Sequence, residues 1–154
     1  MINPLIPYPI KGAIWYQGET NSARYIEYKT LQPLMFNDWR ERWNLGDFPF
    51  LFVRLPGLLN TSWQWMREAQ ASSLSYPNTG MAVSIDVGDP YELHPRNKKP
   101  IGERLALLAQ KIAYGADLVC YGPTYKSSVV KGSTIYIQFT SIGGGLTANG
   151  SVQV

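Results

Sequence analysis

The stretch that decides the fold is FPFLFVRL, residues 48–55. Its apolar residues run on without alternation. A strand with one wet face alternates apolar and polar residues, whereas a strand covered on both faces is continuously apolar. FPFLFVRL therefore predicts a strand covered on both faces. Two runs of the same kind lie on either side of it, GAIWYQ at 12–17 and GMAVSID at 80–86. Helical patterns fill the gaps. The first follows GETNSARY, capped by Asn21 or Ser22, and continues to about Trp43 with a kink or split at Pro33. A second runs from Asn60 and Thr61 through WQWMREAQASSL to Leu74. The third starts after Asn97, repeats Ile101, Leu105, Leu108 and Ile112, and ends near Gly115, where a left-handed cap is wanted. Strand and helix alternating three times predicts a parallel sheet with right-handed crossovers.

Beyond Gly122 the character changes. YKSSVVKGSTIYIQF holds two β-rich runs around Lys131-Gly132, which predicts a tight hairpin. Residues 1–120 are thus expected to form an α/β part, and residues 121–154 the start of an accessory β region.

The chain's 154 residues, 45% hydrophobic and 16% charged, suit one globular domain. No apolar run reaches the ~18 residues that span a bilayer, so no membrane partner is expected. The opening MINPLIPYPIKG lacks a basic segment followed by a long apolar one, the pattern of a secretory signal. A net charge of +3, with Lys and Arg scattered, gives nucleic acid binding no support. Cys120 is the single cysteine and His94 the single histidine. That count excludes an internal disulfide and a Cys/His metal site, and no cofactor is expected.

Ligands of open parallel sheets bind beyond the carboxyl ends of the strands. Two polar loops leave those ends: QGETN at 17–21 and DVGDPYELHP at 86–95. Strands of one parallel sheet end on the same edge, so Gln17 and Glu19 are expected near His94. The chemistry suggested is ester hydrolysis. A neutral imidazole takes a proton from a serine hydroxyl at neutral pH. A carboxylate beside it holds the right tautomer, and an amide such as that of Gln17 donates to the developing oxyanion.

IKGAIWYQGETN, DFPFLFV, REAQ, NTGMAVSIDVGDP, HPRNKKPIGERLAL and GPTYKS, in this order, resemble the sialate O-acetylesterase family. The likeness extends from about Pro7 to Gly150. It implies a flavodoxin-like three-layer α/β sandwich, truncated here on its N-terminal side, and a serine–histidine acetylesterase acting on O-acetylated sugars. By the same resemblance His94 in HPRNK is the catalytic histidine, Gln17 the oxyanion donor of the QGE block, and Glu19 and Asn21 its polar supports. Glu92 is favoured as the acid that partners His94, and Asp89 is the alternative. Relatives often place Asp two residues before the histidine, where Glu92 stands; the wider group places its acid three before, at Tyr91. A secreted or periplasmic bacterial location is implied.

The family's nucleophile block, resembling GQSN, has no counterpart here. Ser22, Ser62, Ser72, Ser73, Ser75, Ser84, Ser127 and Ser128 fall in helical, strand or hairpin contexts. The chain is therefore expected to be inactive alone, and either to pair with the missing half or itself, or to persist as a carbohydrate-binding remnant. Bland roles compete for each residue. His94 read by itself is equally a loop histidine, Gln17 a strand-end amide, and Glu19 the ion-pair partner of Arg67. Trp63 and Trp65 are the tryptophans expected nearest a substrate. Arg96, Lys98 and Lys99 read as a solvated helix start.

Overall fold

The computed structural model describes residues 2–59 and 63–146, in two compact units, Met1–Ala116 and Asp117–Val154. The caps expected at Asn60 and Thr61, and Ser62, lie outside the described residues.

In the first unit three short parallel strands, β1 (Ala13–Trp15), β2 (Phe50–Val53) and β3 (Thr79–Ala82), pair in the order β1-β2-β3. Ala13 sits opposite Phe50, and Leu51 opposite Gly80. β2 lies in the centre and its four residues are all buried, whereas β1, also expected to be covered on both faces, leaves Ile14 exposed at the sheet edge. Alternate side chains of β2 face opposite layers. Phe50 and Phe52 meet Phe36 of α1 (Tyr25–Trp43), with ring centroids 4.4 and 5.9 Å apart. Leu51 turns the other way, toward α3 (Lys99–Ile112). There Gly80 lets β3 approach closely: a Cβ on it would lie 2.7 Å from Ile112 Cδ1 and 3.2 Å from Leu108 Cδ2. On the α1 side, α2 (Trp63–Ser72) packs Trp63, Met66 and Ala69 around Tyr28 and Leu55. The result is an α/β sandwich of three layers, as the resemblance implied.

Three local expectations change. Helix α1 is not split at Pro33: it runs on from Tyr25 to Trp43, because Gln32, Pro33, Phe36 and Arg40 are all buried and tertiary packing outweighs one lost backbone hydrogen bond. Asn21 and Ser22 do not cap α1; a 3-10 turn over Glu19–Arg24 precedes it, and the Asn21 side chain is engaged elsewhere. Asn97 does not cap α3 either, whose N-cap is Lys98 without a side-chain bond. Gly115 does close that helix region in the left-handed conformation, at φ 71°, its N–H reaching Lys111 O.

At the edge where the strands begin, buried Arg40 ties α1 to two loops. Its Nε and Nη2 donate to Phe48 O at 3.1 and 2.9 Å, and Nη2 also to Pro77 O at 2.7 Å.

In the second unit β4 (Thr124–Lys131) and β5 (Thr134–Thr140) form an antiparallel hairpin. Lys131 pairs with Thr134, so the loop is Gly132-Ser133, one residue on from the Lys131-Gly132 expected. Gly132 at φ 60° supplies the positive φ that the first loop position of such a turn requires. Val130, Ile135 and Ile137 share one face, and all three are exposed.

Candidate functional site

The site is built outward from the end of β1. Gln17 leaves the strand with both ends of its amide held. Its Oε1 accepts the Tyr28 hydroxyl at 2.9 Å, and its Nε2 donates to Asn21 Oδ1 at 2.7 Å. A side-chain amide has two N–H donors, so this arrangement leaves the second one available. Tyr28 remains a donor at neutral pH: burial, the largest effect, raises its phenol above the ordinary value. A hydrogen bond from Trp15 works against that rise, and the nearby charge of Glu19 adds to it.

Gln70 of the REAQ block locks two strand exits together from α2. Its Nε2 donates to Gln17 O at 3.0 Å and Val53 O at 3.2 Å, while its Oε1 accepts Leu55 N–H at 2.9 Å. Gly18 allows this approach, since a Cβ there would lie 3.0 Å from Gln70 Nε2 and 3.0 Å from Met66 Cε. Neither Tyr28 nor Gln70 was singled out from the sequence. Both sit inside helices that read only as apolar stripes, although Gln70 belongs to a quoted block.

The loop after β3 is held from below and from the side. Arg104 of α3 donates to Val83 O and forms a fork on Asp86, with Nη1–Oδ1 2.7 Å and Nη2–Oδ2 2.6 Å. The guanidinium holds the Asp86 carboxyl below its ordinary value. Further along, Gly88 packs on Pro56 and Gly57, and Leu59 N–H bonds Pro90 O at 2.9 Å. The β2 and β3 loops thus interlock. The β1 exit joins them through Tyr16: Lys98 Nζ lies 5.0 Å from the centre of its ring. Burial foremost, then the Glu19 charge, raises the Tyr16 phenol, against a hydrogen bond with Ser84.

His94 is exposed on this loop, and its ring makes no hydrogen bond among the described residues. Glu92 and Asp89 are exposed too, and both carboxylates turn to the backbone. Glu92 Oε1 accepts the His94 N–H at 2.9 Å, and Asp89 Oδ1 accepts the Tyr91 N–H at 2.8 Å. These are the local turns that short acidic side chains make in loops. No hydrogen bond joins Gln17 to His94.

The expected Glu19–Arg67 pair does not form. Arg67 Nη1 instead donates to Pro56 O at 3.0 Å, and Glu19 makes no ion pair among the described residues. Trp63 belongs to the core, whereas Trp65 is 52% exposed and stacks on Tyr25 at 6.0 Å. Among the described residues no group of three His, Cys, Asp or Glu is placed to hold a metal ion, and no helix is long and apolar enough to cross a membrane.

Comparison with known proteins gives this geometry a context. Residues 3–111 match the model of the family described as carbohydrate esterase, sialic acid-specific acetylesterase. The sialate O-acetylesterase of Mus musculus is 36% identical over 150 residues, 82% of this chain and 28% of the relative. That of Homo sapiens is 35% identical over 147 residues, 80% of this chain and 28% of the relative. The crystal structure of a carbohydrate acetylesterase from Xanthomonas citri superposes with a TM-score of 0.85 at 37% identity, over 94% of this chain and 37% of that one. The chain therefore spans well under half the length of the relatives it matches. It belongs to the sialic acid-specific acetylesterase family of carbohydrate esterases.

Proposed function

We propose that this chain supplies the histidine and oxyanion half of an acetylesterase acting on O-acetylated sugars, with the nucleophilic serine brought by other polypeptide. The observation that carries the reading is the Gln17 amide, held by Tyr28 and Asn21 with one donor spare; the parallel pairing of β1, β2 and β3 supports it, since the loops of Gln17 and His94 then leave strands that run the same way. The serine Oγ attacks the acetyl carbonyl carbon while His94 takes its proton. The carbonyl oxygen, now an anion, accepts from Gln17 Nε2. Collapse expels the sugar oxygen, which regains the proton from His94. Water then cleaves the acyl-enzyme by the same relay, releasing acetate and restoring the serine. Glu92, or else Asp89, orients the imidazole once its carboxylate leaves the backbone N–H that it accepts here. Catalytic hydrogen bonds are often completed only when the substrate complex forms.

On this reading a further strand carrying the serine would pair with the exposed flank of β1. Ile14 is 65% exposed on this edge strand. Beside it a cavity of about 330 Å³ is lined by Trp15, Gln17, Asn21, Tyr28, Leu31, Gln32 and Met35. Gln32 Nε2 is buried there without a partner among the described residues, a donor that an incoming carbonyl would satisfy.

p-Nitrophenyl acetate hydrolysis tests the reading. The chain alone is expected to be silent. Turnover by the chain that survives His94→Ala would refute the assigned base, and turnover abolished by it would reveal a serine within these 154 residues.

The exposed Trp65–Tyr25 stack favours a second reading, a carbohydrate-binding remnant without catalysis. Sugar binding lost in Trp65→Ala, with no turnover in any complemented form, would select it.

A further inference from the structure

We infer that Tyr16 is a positioning residue for His94: its ring holds Lys98, at the far end of the His94 loop, against the β1 exit that also carries Gln17. The inference rests on the acetylesterase reading for its purpose, but the clamp itself is measurable without catalysis.

Packing alone does not fix this loop. Between Ile85 and Lys99 the one buried residue is Pro95, directly after His94. Directional contacts have to set its place, and the described residues supply them along its length. Arg104 of α3 grips Asp86 near the start, and the N–H of Leu59, in the β2 exit, meets Pro90 O in the middle. At the end stands Lys98, the N-cap of α3. Its Nζ lies 5.0 Å from the centre of the Tyr16 ring. The first two contacts tie the loop to α3 and to the β2 exit. The third ties it to β1, the strand that leads into Gln17.

The placement of Lys98 carries a cost that Tyr16 offsets. A cation at a helix N-terminus meets the positive end of the helix dipole, which is unfavourable. The first turn of α3 holds no acidic residue to balance it. Lys99, next in the chain, is met by Glu103 at 3.7 Å. Lys98 has no carboxylate within ion-pair distance among the described residues, and the face of Tyr16 takes its charge instead. An aromatic face attracts a cation through its quadrupole.

Tyr16 suits the task by its position in the chain. Tyr16 and Gln17 directly follow β1 and serve opposite layers, as alternate side chains of a strand do. Gln17 turns to α1, where Tyr28 holds its oxygen, and Tyr16 turns to the start of α3. A hydrogen bond links the Tyr16 hydroxyl to Ser84, the fully buried residue from which the His94 loop departs. One side chain therefore touches both ends of the loop, and its neighbour is the oxyanion donor. The dipeptide Tyr16-Gln17 thus sets the spacing between donor and imidazole.

The test measures millisecond amide hydrogen exchange by NMR on the 154-residue chain. The His94 N–H is bonded to Glu92, and the Val87 N–H to Ser84 O near the root of the loop. Lys98→Gln and Tyr16→Leu are each expected to speed exchange at His94 about three-fold, the scale of one exposed cation–π contact. The Val87 amide and those of β2 should not move in Lys98→Gln. Lys98→Arg keeps a cation and Tyr16→Phe keeps a ring, so both should match the unaltered chain at His94. The double variant Tyr16→Leu with Lys98→Gln should equal the single ones, since each removes the same contact. Lys98 is exposed, so Lys98→Gln decides the matter should Tyr16→Leu unfold. Unchanged exchange at His94 in Lys98→Gln, or Lys98→Arg as fast as Lys98→Gln, would overturn the clamp. In a complemented enzyme Lys98→Gln should lower kcat about three-fold and leave KM unchanged. Turnover that needs His94, with exchange indifferent to Lys98→Gln, would keep the acetylesterase reading and sink this one. Exchange that follows the Tyr16–Lys98 pair, with turnover indifferent to His94→Ala, would do the reverse.

Discussion

Gln17 shows how much one residue's chemistry depends on its neighbours. An amide at the end of a strand rotates freely in principle. Here Tyr28 takes its oxygen and Asn21 one of its N–H groups, so its remaining donor has a defined place. Tyr28→Phe removes the hydroxyl that donates to Gln17 Oε1 at 2.9 Å and accepts from Trp15 Nε1 at 3.4 Å, and should cost about 1–2 kcal/mol in urea unfolding. In a complemented enzyme the same change should lower kcat more than it raises KM, because it loosens a donor needed in the transition state. Gln70 is held more deeply, with three bonds between 2.9 and 3.2 Å. Gln70→Leu strands a backbone N–H and two carbonyls, and should cost roughly 3 kcal/mol or more, since each unsatisfied buried group costs about 1–3 kcal/mol. A loss below 1 kcal/mol would show that water replaces it. His94, Gln17, Glu19, Asn21 and the Glu92/Asp89 pair were all nameable from the sequence. Tyr28, Gln70 and Arg104 were not, because a helical residue's partner across the fold leaves no local signal.

At the scale of elements, α3 anchors the loop that carries His94. Arg104 grips Asp86 and Val83 O, so the loop is tied at its root while its tip is exposed. The Asp86 carboxyl is depressed in the folded chain, by its hydrogen bond to Arg104 first. A depressed acid contributes stability above its unfolded pKa of about 3.9, and that contribution disappears as pH falls through the lower folded value. The stability difference between the chain and Asp86→Asn should therefore be constant from neutral pH to about 5, then shrink toward zero in stronger acid. Thermal unfolding across that range would measure it. The pair is half-exposed, so 0.5 M salt should also reduce the difference. A gap that widens on acidification would mean Asp86 does not act through its charge. The layer structure, by contrast, resists single surface changes. Phe36→Ala opens a gap against Phe50 and Phe52 and should cost about 3–5 kcal/mol.

For the whole molecule the decisive feature is an open sheet. β1 is an edge strand with Ile14 exposed, and Ile26, Leu31 and Leu34 of α1 are exposed as well. Unpaired edges and contiguous apolar surface invite association. The purified chain should show a concentration-dependent mass by light scattering, and Ile14→Lys should reduce it. A strict monomer at high concentration would mean that this edge is already guarded. On the proposed function, this edge and the adjoining cavity of about 330 Å³ are where a further strand bearing the serine would pair.

Three continuous apolar runs alternating with helical patterns were enough to settle a parallel α/β sheet, because burial on both faces leaves no room for polar alternation; that 48–55 lies at its centre emerged only from the structure. The block order was enough to name the family, since chemistry at strand ends demands particular residue types at particular places. Only the tertiary structure decided that Glu19 and Arg67 stay apart, that Trp63 is core while Trp65 is surface, and that Asn21 serves Gln17 rather than capping a helix. The first two depend on which side chains meet across the fold, as Trp65 meets Tyr25 and Arg67 meets Pro56; the third is a contact four residues apart that competes with capping, and a linear pattern does not decide between them.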